Sequence, residues 1–357
     1  MVDGVRAMLM RGGTSKGIYF EETDLPADRT ERDDLLRRIM GSPDPRQIDG
    51  MGGAHPLTSK VAIVSPSAGD RADVDYLFLQ LGVDDAVVSD GQNCGNLLAG
   101  VGPFAIERAM VTPPPEANEH RIRILMRNTD AVATATVIVQ DSQPVYSGSS
   151  AISGVPGTAA AIRLDFDDTA GGTCGALLPT GNLVDVVDGV RCTLIDNGMP
   201  VVVMRADELG VDGDEEPFEL EGHESLRERL ESIRRQAGPM MRLGDVTETT
   251  VPKLTMVSPP RTPEGSLCTR TFIPFRCHDA IGVLGAVSVA SAALLPGTPA
   301  SEVHVAGAPG SVVLEHPTGT FEAAVSLELV EGEPVVRRAG IIRTARKLMD
   351  GLVYPRE

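Results

Sequence analysis

Basic and aromatic residues are scarce in this 357-residue chain. It has 32 Lys and Arg against 50 Asp and Glu, no Trp, and only four Tyr and eight Phe. The net charge of −18 and the absence of a concentrated basic face argue against nucleic acid as a partner, because a phosphate backbone needs clustered positive charge. A small anionic substrate is still compatible with the sequence, because a local cluster of donors can bind it whatever the net charge.

Membrane spans, secretory leaders and metal motifs are also missing. The longest apolar run, 280–295, is short for a membrane span, and the N-terminus has no charged-then-apolar signal pattern. We expect a soluble cytoplasmic protein with no metal and no membrane partner, and a homodimer is an open alternative. No CxxC pair and no zinc-like spacing occurs among the five cysteines, which are Cys94, Cys174, Cys192, Cys268 and Cys277.

Glycine and proline are abundant, with 38 and 26 residues, and many short Val-rich segments lie between them. This composition predicts an α/β protein with short strands and many turns, and the length suits two domains. Helices are expected at 28–40, from Cys94 to a Pro-rich loop at 112–115, at 225–236 and in the apolar segment after Pro274. The second half repeats the first, with the acidic segment 207–221 expected as a loop.

The interval from Cys94 to Gly102 is repeated from Cys277 to Gly285, and an apolar helix is expected at both places. This spacing indicates a rough internal pseudo-twofold repeat. It predicts that the two cysteines stand in equivalent positions, with His278 one residue into the second helix.

The tetrad Asn93-Cys94-Gly95-Asn96 runs directly into the apolar segment 97–106. A cysteine on the first turn of a buried helix lies beside unpaired backbone N–H groups and the positive end of the helix dipole, which favour thiolate and bind carboxylates. The alternative is a small buried hydrophobic residue, the usual fate of a free cysteine. The polar and glycine neighbours favour the functional interpretation.

Lys60 follows Leu57-Thr58-Ser59 at the edge of an apolar strand. From spacing alone, a lysine at a strand start is most simply a solvated charge.

A second candidate, the Gly-rich segment 11–17, lacks the spacing of a phosphate-binding P-loop. It is better suited to offering backbone N–H groups and the Ser15 hydroxyl to a carboxylate, with Arg11 and Lys16 as weaker candidates.

Together, several of these motifs resemble the PrpF-like isomerases, which are relatives of diaminopimelate epimerase. The resemblance covers nearly the whole chain and consists of the segments 11–17, 52–60, 93–96, 191–200, 277–282 and 343–348. It implies a diaminopimelate epimerase-like fold with two pseudo-symmetric domains, 1–183 and 184–357, each with a curved sheet around a central helix. It also implies an active site in the cleft between them.

The resemblance implies specific roles for individual residues. Lys60 and Cys94 match the catalytic acid/base pair; to act as a base, Lys60 must be partly desolvated, which would lower its pKa. Cys277 corresponds to the second thiol of the epimerases and is also compatible with a packing role, while His278 is either a carboxylate donor or a helix cap. The implied substrate-binding residues are Ser15, Thr58, Ser59, Asn93, Gly95, Asn96, Cys277 and His278.

The implied function is a cofactor-independent isomerase that moves a proton on a small unsaturated oxo-tricarboxylate. The segments 41–50 and 277–283 favour the 4-oxalomesaconate tautomerase branch, which acts in gallate-type aromatic acid degradation. Methylaconitate or aconitate isomerisation remains an alternative. Two other classes stay open: an amino-acid epimerase that uses Cys94 and Cys277 together, and a non-catalytic carboxylate binder.

Overall fold

The computed structural model describes residues 4–91, 94–308 and 310–357. They form two compact units, the first running to Leu164 and including Ile342–Glu357, and the second comprising Asp165–Ile341. This division differs from the predicted boundary after residue 183. The segment before the strand Val190–Asp196 of the second unit is bound to that strand, since Gly171 N–H donates to Asp196 O at 2.7 Å and Asp196 N–H donates to Leu177 O at 2.9 Å.

The first unit is mainly a sheet with two α-helices. Its elements are β1 (Val5–Gly12), β2 (Ser15–Glu21), α1 (Arg29–Met40), β3 (Lys60–Pro66), β4 (Val74–Leu81), β5 (Val88–Ser89), α2 (Gly95–Glu107), β6 (Glu119–Met126), β7 (Ala131–Gln140), β8 (Gln143–Pro144) and β9 (Ala161–Phe166), in which the division falls. Short 3-10 turns occur at Glu22–Asp24 and Pro56–Thr58.

The second unit has a matching series of strands and additional helices. Its elements are β10 (Asp185–Val187), β11 (Val190–Asp196), β12 (Pro200–Arg205), α3 (Pro217–Gly222), α4 (Glu224–Met240), β13 (Lys253–Ser258), β14 (Leu267–Ile273), β15 (Arg276–Cys277), α5 (Val283–Leu294), α6 (Pro299–Val303), β16 (Val312–His316), β17 (Gly319–Val330) and β18 (Glu333–Val353), whose last residues belong to the first unit. A 3-10 turn lies at Asp207–Leu209.

The central helix of the first unit is α2. In the sheet around it, β1 pairs antiparallel with β2, β2 parallel with β3, β3 antiparallel with β4, β4 parallel with β6, and β6 antiparallel with β7. The end of β18 pairs with β1 on the other side. Every residue of α2 from Leu97 to Ile106 is buried, as expected of a helix that is apolar on all faces.

The second unit repeats this pattern of pairing. Here β11 pairs antiparallel with β12, β12 parallel with β13, β13 antiparallel with β14, β14 parallel with β16, and β16 antiparallel with β17. Helix α5 takes the place of α2, and its residues from Gly285 to Ala293 are buried. The predicted internal repeat is therefore present in the topology.

Several predicted helices are confirmed. Helix α1 begins after Asp28, whose carboxylate accepts from the N–H groups of Thr30 and Glu31, and ends at Gly41 with φ of 79°. The acidic segment is not wholly a loop, because it contains α3, which starts with Pro217 and a capping box. Among the described residues, no helix is both long and apolar enough to span a membrane.

The start of the second central helix differs from the prediction. Cys277 pairs with Phe272 in the β14–β15 ladder, and the His278 N–H donates to Thr271 O at 2.8 Å. These bonds hold the segment in extended backbone, so α5 begins only at Val283, with Gly282 as its N-cap. The expectations that His278 lies inside this helix and that Cys277 stands at its start, as Cys94 does at the start of α2, are wrong.

Candidate active site

Lys60 is the first residue of β3 and is only 7% exposed. Its Nζ donates to Gln80 Oε1 at 2.6 Å and lies 4.9 Å from the centre of the Phe78 ring. Both partners belong to β4, where Gln80 is directly opposite Lys60 in the antiparallel register. The interpretation of Lys60 as a solvated surface lysine is therefore wrong.

The Gln80 amide is held in one orientation by its own hydrogen bonds. Its Nε2 donates to Ser59 O at 3.0 Å, to Pro56 O at 3.1 Å and to Leu81 O at 3.3 Å. Because the amide nitrogen faces these carbonyls, the amide oxygen is directed at Lys60. A neutral acceptor thus faces the buried amine, and no ion pair with a carboxylate holds Lys60 within the described chain.

Cys94 is the N-cap of α2, with φ of −127° and ψ of 98°. Its carbonyl accepts the first helical bond, from Leu98 N–H at 3.0 Å, while its thiol makes no capping bond. It is partly exposed, whereas Cys174, Cys192, Cys268 and Cys277 are buried. The first-turn N–H groups that follow it have no helical acceptor.

Two buried tyrosines support the start of α2. The Tyr19 hydroxyl donates to Leu97 O at 2.5 Å, and the Tyr76 hydroxyl donates to Cys94 O at 3.4 Å. Burial raises the pKa of both phenols well above the usual value, and the charge of a Cys94 thiolate nearby raises it further. Both rings therefore stay neutral and act as fixed donors to the helix backbone.

Glycines on either side of the β1–β2 turn, Gly12 at the end of β1 and Gly17 within β2, allow α2 and β3 to approach each other. A Cβ on Gly12 would lie 2.4 Å from Asn96 O, and one on Gly17 would lie 2.7 Å from Leu97 Cδ2 and 2.8 Å from Lys60 O. Gly17 therefore lies between the first turn of α2 and the start of β3. Within the first unit, this turn brings the backbone around Cys94 close to that around Lys60.

The other predicted residues of this unit have different environments. The Ser15 hydroxyl is buried and has no hydrogen-bond partner among the described residues. Thr58 donates to His55 O at 3.1 Å and, with Ser15, lines a cavity of about 700 Å³. Ser59 is fully buried and donates to Gln47 Oε1 at 2.8 Å, so its hydroxyl is engaged inside the protein.

Three further predicted residues flank Cys94. Gly95 is the first residue of α2, and Asn96 Nδ2 donates to Thr14 Oγ1 at 3.0 Å. The Asn96 side chain thus links the helix to the Gly-rich turn. Asn93 lies outside the described residues.

Cys277 and His278 belong to the second unit. Cys277 is 5% exposed, its N–H donates to Glu221 Oε1 at 3.0 Å, and burial raises the pKa of its thiol to about 12. His278 Nδ1 accepts from Ala280 N–H at 2.8 Å, and burial lowers the pKa of the ring. Near neutral pH, Cys277 is therefore a protonated thiol and His278 a neutral imidazole.

Sequence reasoning missed Gln80 and the two tyrosines. The only signal for Gln80 in the sequence was a single amide side chain in the otherwise apolar segment 77–81. Its contact with Lys60 depends on the register between β3 and β4, which a single sequence does not give. Within the described part of the chain, no group of three or more His, Cys, Asp or Glu side chains is arranged to hold a metal ion.

Comparison with known proteins identifies the class. The chain is 56% identical to a (4E)-oxalomesaconate Delta-isomerase from Novosphingobium sp. (strain KA1), over 99% of this chain and 98% of that protein. It is 52% identical to a 4-oxalomesaconate tautomerase from Pseudomonas putida, over 98% and 95%. The crystal structure of a methylitaconate-delta-isomerase superposes with a TM-score of 0.88 at 36% identity, covering 99% of this chain and 96% of that one.

These similarities define an isomerase and confirm the predicted fold class, in which each of two α/β domains has a sheet curved around a central helix. The family model described as PrpF protein matches residues 3–356. The chain belongs to the PrpF family.

Proposed function

We propose that this protein isomerises 4-oxalomesaconate by moving one proton, with Lys60 and Cys94 as its acid/base pair and without a cofactor. The substrate is supported by the two relatives above 50% identity that carry its name. The single observation that best supports the chemistry is the buried Lys60 amine, which faces the oxygen of a fixed neutral amide at 2.6 Å.

The substrate itself explains why such a pair is sufficient. In the keto form of 4-oxalomesaconate, a methylene lies between a ketone and a conjugated C=C bond. Removal of one methylene proton leaves a dienolate whose charge is spread over the ketone oxygen and the chain. Return of the proton to oxygen gives the enol, and return to the far carbon moves the double bond. Neither outcome changes the oxidation level.

Lys60 is suited to exchange this proton. A base must spend part of its time as the neutral amine, and an amide acceptor does not hold the ammonium form as a carboxylate would. The low exposure of the Lys60 side chain, with Nζ 4.9 Å from the centre of the Phe78 ring, also limits its contact with water. Cys94 exchanges the proton at the second position, and the two groups act as a coupled pair in which either can start.

The start of α2 is suited to stabilise the dienolate. Its first-turn N–H groups have no helical acceptors and are held by a helix that is buried along its length. Fixed dipoles directed at developing negative charge are among the largest contributions to catalysis, because they need no reorganisation during the reaction. The thiol of Cys94, the N-cap residue directly before these N–H groups, would lie beside the same charge.

A spectrophotometric assay of the purified protein tests this function. We expect turnover of 4-oxalomesaconate to exceed turnover of 2-methylaconitate, cis-aconitate and trans-aconitate at equal concentration. Diaminopimelate serves as the control for the epimerase alternative. No turnover of 4-oxalomesaconate with clear turnover of another tricarboxylate would contradict the proposed substrate.

A further inference from the structure

A cavity of about 700 Å³ lies beside the candidate site, entirely within the first unit. Its walls are the β1–β2 turn, the loop formed by residues 146–159 and the end of β18. Among the described residues, none that lines this cavity is Asp or Glu, although the chain has 50 acidic residues and a net charge of −18. This volume lies in the range of small-molecule sites.

Three cations stand in a row in the wall of this cavity. Arg11 of β1 is directly opposite Lys16 of β2 on one side and Arg346 of β18 on the other. Residues directly opposite each other on neighbouring strands point to the same face, and like charges in such positions are destabilising. No ion pair of these three residues with a carboxylate occurs in the described part of the chain, so their charge is not neutralised by the protein.

Arg11 is held in place by neutral oxygens. Its Nη1 donates to Gly13 O at 2.8 Å, to Thr344 Oγ1 at 3.0 Å and to Thr344 O at 3.1 Å. Burial and the neighbouring Arg346 guanidinium lower its pKa from the usual value, which reflects the cost of keeping these charges together. An anion between the cations would remove that cost.

Ser15 provides a second, independent observation. Ser15 lines the cavity and is 2% exposed, and its hydroxyl is buried with no partner among the described residues. A buried hydroxyl without a partner costs free energy unless a ligand or water completes it. Thr14, which also lines the cavity, accepts the hydrogen bond from Asn96 of α2 and so connects the cavity wall to the catalytic helix.

We propose that this cavity is the pocket for substrate carboxylates, in which Lys16, Arg11 and Arg346 bind two of the three carboxylates and the Ser15 hydroxyl, which lies on the opposite face of β2 with Gly12 and toward α2, donates to the third. Neighbouring strands lie about 4.8 Å apart, so the row offers positive charge along a length that suits a polycarboxylate better than a single carboxylate. Arg346 and Lys16 are then the residues that select a tricarboxylate over smaller acids. This proposal rests on the proposed function, because it takes the substrate to be a tricarboxylate.

The test uses an inert probe beside the reaction. Propane-1,2,3-tricarboxylate has three carboxylates but neither a C=C bond nor a ketone, so it can bind without isomerising. Its dissociation constant is measured by calorimetry for the wild type, for Lys16→Gln/Arg346→Gln, and for the matched control Arg6→Gln/Arg46→Gln. The control removes two exposed cations of the same unit that do not line the cavity.

We expect the cavity variant to bind the probe about tenfold or more weakly, the loss typical of hydrogen bonds to charged groups. The control should stay within about twofold of the wild type, because its two cations do not line the cavity. Ser15→Ala, which changes no charge, should weaken binding several-fold. The cavity variant should also raise KM for 4-oxalomesaconate by a similar factor while kcat changes little.

The outcomes separate this proposal from the function on which it rests. Equal binding and equal KM in the cavity variant and the control would overturn the pocket, and so would a wild type that does not bind the probe. If 4-oxalomesaconate is not turned over, but loss of probe binding is confined to the cavity variant and Ser15→Ala, the pocket is supported and only the proposed substrate fails.

Discussion

The two units share one topology but differ at the same two places. Each has a central helix preceded by a cysteine, and each begins its third main strand with a lysine, Lys60 in β3 and Lys253 in β13. In the first unit Cys94 caps the helix and is partly exposed, whereas in the second Cys277 lies in a strand and is buried. The repeat therefore places a cysteine before each central helix, and the local backbone leaves only Cys94 at the helix start that the proposed mechanism uses.

The two cysteines should differ most. Cys94→Ala is expected to lower turnover at least ~10²-fold, the loss typical of a positioned acid/base group, while Cys277→Ala should stay within a few-fold of the wild type. Turnover and thermal unfolding of both variants would be measured together. Comparable losses in two folded variants would indicate a two-thiol mechanism of the epimerase kind and remove the distinction between the units.

Substitutions of Gln80, the acceptor for Lys60 Nζ, test whether this contact supports the proposed role of Lys60. Gln80→Leu removes the acceptor that positions Lys60 Nζ and should lower kcat by roughly tenfold, within the range for a hydrogen bond to a charged or titrating group. Gln80→Glu keeps the shape but replaces the neutral acceptor with a carboxylate, which would hold Lys60 in an ion pair, so kcat should fall in this variant too. A kcat equal to that of the wild type in both folded variants would contradict a positioning role for Gln80.

The rate of thiol labelling should also differ between Cys94 and the buried cysteines, although by less than the turnover of the variants above. Iodoacetamide reacts with thiolate, and burial raises the pKa of Cys174, Cys192 and Cys277 to about 12. These thiols stay protonated and protected near neutral pH, so brief labelling should modify Cys94 first. Peptide mapping checks the order, with propane-1,2,3-tricarboxylate added as a protecting ligand. Preferential labelling of Cys277 would contradict it.

Much of this arrangement could be predicted from the sequence because it depends on local patterns. The cap at Asp28, the buried helix after Cys94 and the repeated spacing of Cys94 and Cys277 are all readable from neighbouring residues. The start of α5 was predicted wrongly because Cys277 and His278 are held by β14, a strand that the sequence pattern did not reveal.

The contacts across strands could not be predicted in the same way. Gln80 faces Lys60, and Arg346 lies beside Arg11, only through the register of strands distant in sequence. Local periodicity does not determine such a register, which depends on packing of the whole sheet. The burial of Lys60, which decides between a solvated and a functional lysine, is a consequence of the same packing.

The central claim is that proton transfer depends on Lys60 and not on its counterpart Lys253. The direct test is NMR measurement of deuterium incorporation into the substrate methylene in deuterated water, for Lys60→Met and the matched variant Lys253→Met. We predict that exchange is abolished in Lys60→Met and continues near the wild-type rate in Lys253→Met. Undiminished exchange in a folded Lys60→Met protein would contradict the claim.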